Sequence, residues 1–282
     1  MRRELHQRTP LAALREVYRA GAMRVSVAAS ALRSAGYSSL LAGLDDLSMR
    51  RVELSVLASG ETVGLQPDGW PLVAVVEEGV ARAYRAGLYD HAVVVTALSL
   101  DGPAEDVPDE LAVGGVLSAL PAAEVLGASV VRVEADEGGR LLGRRRELAA
   151  HTAGLRVAVA LPPPALGGDD AGALLEWEED GLGLALDIEA LFRAGDPGVA
   201  WQALRQAAPH TRCVVCGVGR RDAGGEGTPL AAGGIDYARV AAILGAEGYT
   251  GEFTISLTGG EAGGRTVLRE DIAYLKDVLG EW

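Results

Sequence analysis

The chain has 282 residues, 49% of them hydrophobic and 23% charged, with a formal net charge of −13. That length and apolar content can bury a sizeable core, and one barrel-sized domain of roughly 250 residues fits better than two small ones. The acidic balance repels phosphodiester backbones and argues against nucleic-acid binding, although a small phosphorylated ligand answers only to local charge.

Residues 1–22 read as an added N-terminal helix. Thr9-Pro10 is a cap followed by proline at the first helical position, and Leu11, Leu14, Val17 and Tyr18 then form one apolar stripe. Two early arginines are not followed by an uninterrupted apolar stretch, so this is not a secretory signal. The stripe either closes the bottom of the domain or binds a partner.

From residue 24 onward, short β-rich runs alternate with helical stretches. The expected strands are Arg24–Ala29, Arg51–Val56, Ala92–Leu98, Ser129–Glu134, Arg156–Leu161, Gly183–Asp187, Cys213–Gly217 and Glu252–Leu257. Most are near-continuous Val, Leu, Ile and Ala, as parallel strands covered on their outer face require. Helical patterns cover 39–47, 72–85, 109–126, 141–151, 197–208, 236–244 and 269–279. This alternation predicts an α/β fold, a (β/α)8 barrel over 23–282 with an additional N-terminal helix over 1–22. An open doubly wound sheet competes, but no Gly-x-Gly-x-x-Gly follows the first strand and no Walker-type loop is present.

Three longer linkers, 58–69, 162–172 and 220–234, follow strands and are rich in Gly, Pro and Asp. Loops in that position build the active face of a barrel. The last reads equally as a ligand lid or as a plain flexible loop. Cys213 and Cys216 sit three apart on one strand, so they point to opposite faces and read as buried thiols rather than a redox or metal pair. Free thiols, and the lack of any apolar run of the ~20 residues that cross a bilayer, fit a cytoplasmic protein without membrane contact. His91, His151 and His210 fall on the N-terminal side of strands and His6 before the barrel, which leaves them out of the chemistry.

The C-terminal third carries a resemblance. Pro229-Leu-Ala-Ala-Gly-Gly-Ile-Asp-Tyr237, Arg239–Leu244 and Gly248-Tyr-Thr-Gly-Glu-Phe-Thr-Ile-Ser256 resemble a passage shared across the xylose isomerase-like barrels, the sugar phosphate isomerases and epimerases. Leu186–Pro197 is similar to that family's sixth strand and following loop, Leu126–Val133 to its passage into the fourth strand, and Arg51-Val-Glu-Leu54 to its second strand. The resemblance implies a divalent metal at the C-terminal mouth. Its ligands are Glu, Asp, His and Glu on strands five to eight, and it polarises a substrate oxygen while carboxylates move a proton.

Against that pattern only Asp187 is kept. Ala160 falls at the first Glu, Gly217 and Gly219 at the histidines of the seventh strand, Ser256 at the last Glu, and Ala190 replaces a histidine that often follows the Asp. One carboxylate does not hold such an ion, for which about three protein ligands are needed. The expectation is no metal and no other cofactor.

Groups that remain near strand ends are Glu53 and Ser55, then Glu134, Asp136 and Glu137, then Asp187 and Glu189, and finally Arg220, Arg221 and Asp222. Glu134 and Asp187 are the candidate acid–base pair, since two carboxylates in unequal environments can divide those roles. Glu53, Arg220, Arg221, Asp222 and Ser256 are candidate ligand contacts, the arginines suiting a phosphate or carboxylate. Simple solvation competes for every charge beyond a strand end. The leading reading is an isomerase/epimerase-like barrel without its metal. It takes a small polyhydroxylated sugar or sugar-phosphate ligand, and is non-catalytic or runs altered acid–base chemistry. A working metal-dependent isomerase with relocated ligands is one alternative. A non-catalytic subunit partnering a homologous barrel is another, and a homo-oligomer is also open.

Overall fold

Runs of Val, Leu and Ala offer no polar face to water, so both faces of the sheet they form need cover. The sheet meets that need by closing on itself. The computed structural model describes residues 23–57, 59–100, 108–133, 140–152, 155–162, 181–193, 196–217, 228–256 and 264–281. Its strands are β1 (Arg24–Ala28), β2 (Arg51–Val56), β3 (Val94–Leu100), β4 (Val130–Val133), β5 (Ala158–Leu161), β6 (Leu182–Asp187), β7 (Thr211–Cys216) and β8 (Glu252–Ile255). They form a closed barrel in chain order, with β8 returning to pair with β1 in parallel. At that seam Ser26 and Thr254 are register partners, and their hydroxyls hydrogen-bond at 2.7 Å. The expected (β/α)8 barrel is the observed fold.

Helices lie between the strands and are started by the side chains the sequence places there. Ser39 Oγ accepts from the Ala42 amide at 3.2 Å, ahead of helix Leu40–Asp46. Asp196 accepts from the Gly198 amide at 2.6 Å, with proline at the first position of helix Pro197–Ala207. Asp236 accepts from the Arg239 amide at 2.9 Å, heading helix Tyr237–Ala246. Each satisfies an amide that helical hydrogen bonding leaves open.

The expectations need correction in places. Leu72–Val73 is not the start of a helix but pairs antiparallel with Thr62–Val63, and the helix begins only at Glu78. Val73, Val75 and Val76 are β-branched and favour extended backbone, which overrides the helical spacing there. The ribbon is held down by Trp70 Nε1 donating to the Tyr37 carbonyl at 3.0 Å and by Tyr84 Oη donating to the Val63 carbonyl at 2.7 Å. The helix expected over 141–151 is two pieces, Arg140–Gly143 and Arg145–Thr152, and the last helix starts early, at Gly264. The N-terminal helix over 1–22 falls outside the described residues.

Parallel register puts partnered side chains on one face. Ala97, Val130, Ala160, Ala185 and Cys213 thereby form a belt of mostly small groups inside the barrel, while Cys216 packs with the outer core. Neither cysteine forms a disulfide and both are buried, on the opposite faces their spacing predicts. Below the belt, the N-terminal end is closed by Arg51, which donates through Nη2 to Glu252 Oε1 at 2.6 Å and through Nε at 3.0 Å.

Candidate functional site

In register with the belt residues Ala97 and Ala160, the interior also carries two charges. Glu53 lies on β2 with 0% exposure and Arg132 on β4 with 6%. Arg132 donates from Nη2 to Glu53 Oε1 at 2.6 Å and from Nε to Oε2 at 3.2 Å, a bidentate pair spanning two strands of one interior face. A buried carboxylate or guanidinium alone is very costly, so each charge in these apolar strands accounts for the other. Two residues beyond Glu53, Ser55 Oγ accepts from Ser99 Oγ at 3.3 Å.

Asp187 is the last residue of β6 and pairs in register with Val215. Its Oδ1 accepts from the Ala190 amide at 2.8 Å and so starts the short helix Ile188–Arg193. Burial pushes its carboxyl above the ordinary aspartate value, against the opposing pull of the Ala190 amide, Arg193 and Arg132. Arg132 also acts on Cys213, whose thiol burial pushes up to about 12. Asp187, Arg132, Glu53 and Cys213 thus share one electrostatic neighbourhood. It contains a carboxyl shifted upward by burial, a paired cation and a buried thiol.

Ser256 follows β8, is buried, and its amide donates to the Cys216 carbonyl at 2.9 Å. Glu53 is not at a strand tip: Val56 ends β2, and Glu53 is held inside by Arg132. Glu134, Asp136, Glu137, Arg220, Arg221 and Asp222 lie outside the described residues. Arg132 was not among the sequence candidates. Its signal is a lone cation in Val130-Val-Arg-Val133, which only an acid elsewhere in the interior could balance.

Beside the mouth, also on the C-terminal side of β6 and β7, lies a cleft of about 540 Å³. Glu189, Phe192, Arg193, Trp201 and Tyr237 line it, together with the turn Leu230–Ile235. Tyr237 Oη donates to Glu189 Oε1. The Phe192 and Trp201 rings meet edge-to-face at 4.6 Å, and the Arg239 guanidinium sits 4.2 Å from the centre of the Trp201 ring. The turn is anchored from below, where the Leu230 amide donates to buried Asp271 at 2.7 Å.

Compared by sequence, the chain matches no family model and no curated protein. Compared by structure, it superposes over nearly its whole length. A xylose isomerase domain protein from Planctomyces limnophilus matches with TM-score 0.63 at 18% identity, covering 91% of this chain and 97% of that one. A xylose isomerase-like TIM barrel protein from Mycobacterium smegmatis, in complex with magnesium, matches with TM-score 0.65 at 18% identity, covering 92% and 97%. A D-allulose 3-epimerase from Methylomonas sp., in complex with D-allulose, matches with TM-score 0.62 at 14% identity, covering 91% and 97%. The chain has the xylose isomerase-like barrel fold.

Within that fold the described donors do not suit the divalent centre the resemblance implies. Ala160 is fully buried in the apolar belt, and Gly217 follows β7 in the left-handed region at φ +90°. Of the family's ligand positions among the described residues, Ser256 offers one hydroxyl and only Asp187 offers a carboxylate. Among the described residues no three His, Cys, Asp or Glu side chains gather as a metal would need. No described helix is long and apolar enough to cross a membrane.

Proposed function

We propose that this xylose isomerase-like barrel takes a small polyhydroxylated ligand at its C-terminal mouth without the family's divalent centre. Chemistry there is metal-independent proton transfer. The observation that carries this reading is Arg132: a guanidinium fixed by Glu53 stands in the barrel interior and acts on Asp187. The sugar class is supported by the likeness to an epimerase solved with D-allulose.

Removing a proton from a carbon next to a carbonyl leaves negative charge on the oxygen. A preorganised cation in a water-poor site lowers the cost of that charge. Arg132 supplies the cation, and Glu53 is the positioning residue that holds it. Asp187, whose carboxyl keeps its proton to higher pH than an ordinary aspartate, exchanges the proton with the ligand. Glu134 is the second carboxylate of the pair, and Ser256 and Asp222 contact ligand hydroxyls. Arg220 and Arg221 meet a terminal phosphate or carboxylate where the ligand has one.

The test is proton exchange in D2O. Protein stripped with EDTA is incubated with aldoses, ketoses and their phosphates, and loss of the α C–H signal is followed by NMR. Exchange should survive chelation and disappear in Asp187→Asn. A full equivalent of divalent ion in protein purified without chelator, lost in Asp187→Ala, would instead establish a metal enzyme and overturn the proposal.

A further inference from the structure

The cleft beside the mouth has no part in the chemistry above, yet it is built like a ligand site. Its volume, about 540 Å³, lies within the ~300–1,000 Å³ range of small-molecule pockets. One wall is apolar and rigid: Phe192 and Trp201 brace each other edge-to-face, and Arg239 holds the indole by a cation–π contact. The other wall is polar, with Glu189, Arg193 and Thr228. Glu189 is 4% exposed and is oriented by the Tyr237 hydroxyl, whose own residue is fully buried. The carboxylate therefore faces the cleft in a fixed direction rather than on a mobile surface arm.

Charge narrows the ligand. One carboxylate and one guanidinium sit in the same cleft, so a charged ligand gains from one and loses to the other. Hydroxyl groups suit both, because they donate to a carboxylate and accept from a guanidinium. A molecule that also needs an aromatic wall must carry a patch of C–H groups. A sugar ring has both features: hydroxyls around its edge and C–H bonds across its face. The geometry points to this cleft, beside the mouth, as a binding site for an uncharged sugar ring. The site stands whether or not the mouth turns anything over.

Saturation-transfer NMR and calorimetry with free hexoses and pentoses, each paired with its phosphate ester, test the assignment. The wild-type chain should bind a free sugar better than the phosphorylated counterpart. Glu189→Gln and Trp201→Ala should each weaken that binding about tenfold or more, while Asp187→Asn leaves it in place. Thr228→Val, nearly isosteric and on the rim, should weaken it less and guards against misfolding of the Trp201 variant. Absence of binding to every free sugar overturns the assignment. So does preference for the phosphate ester, or binding that Asp187→Asn removes and the cleft variants spare.

Discussion

Arg132 on β4 donates two hydrogen bonds, at 2.6 and 3.2 Å, to the carboxylate of Glu53 on β2, with both side chains inside the barrel. Removing one partner strands the other where water cannot reach it. Arg132→Met or Glu53→Leu should each cost about 3–5 kcal/mol, whereas the two together should cost much less than the sum. Urea unfolding of the singles and the double measures the coupling. Additive losses would mean the pair is not mutually dependent.

Tyr237 is fully buried and donates to Glu189. Tyr237→Phe deletes only that hydroxyl, so the fold should hold with a loss of about 1.5–3 kcal/mol, the range for a hydrogen bond to a charged group. Thermal unfolding gives the loss, and a change near zero would show that Glu189 is oriented by something else.

Asp187 is expected to make stability depend on pH in a definite direction. A carboxyl whose folded pKa lies above its unfolded value is bound to more protons when folded. Its contribution is therefore complete below the ordinary carboxylate range and is lost as pH rises through the raised value. Asp187→Asn keeps an oxygen to accept the Ala190 amide but carries no charge. The variant should be more stable than wild type at about pH 7, and the two should converge near about pH 3. Equal curves at both ends would remove burial as the controlling influence on this group.

Gly183 lies on β6 where a Cβ would meet Arg212 Cγ at 2.1 Å and the His210 carbonyl oxygen at 2.7 Å. The arginine stem can move, but the backbone oxygen cannot. Gly183→Ala should cost about 1–3 kcal/mol through overpacking alone, readable from its denaturation midpoint. An unchanged midpoint would imply that β7 can shift away.

Cys213, with its thiol pushed up to about 12 and its side chain buried, should resist thiol reagents at neutral pH in the folded protein. Cys216 is buried too and should behave likewise, both reacting once denaturant is added. Fast labelling without denaturant would contradict this environment.

Most of the barrel could be read from local pattern because a covered parallel strand leaves a short apolar run behind. β2 was read residue for residue, and helix Asp109–Leu126 likewise. The segment after Trp70 was misjudged because helical spacing and β-branched composition disagree there, and pairing with Thr62–Val63 decided the outcome. The site was harder. Glu53 and Arg132 are 79 positions apart, and nothing local says that their strands face one interior. The cleft depends on Phe192 and Trp201 meeting across two helices, which an amphipathic reading assigns merely to packing. Asp187, Glu53 and Ser256 stand out in the sequence as candidates, being polar residues within or at the ends of apolar strands, whereas Arg132 was not among them.

Arg132 and Ala160 are register partners on β4 and β5. A mutation that placed an acidic side chain at 160 would therefore set it beside a guanidinium already engaged with Glu53. The newcomer would be drawn into that pair before it could serve an incoming ion. An acid at 160 would thus join a charge network rather than stand as an independent donor, unless Arg132 were changed with it.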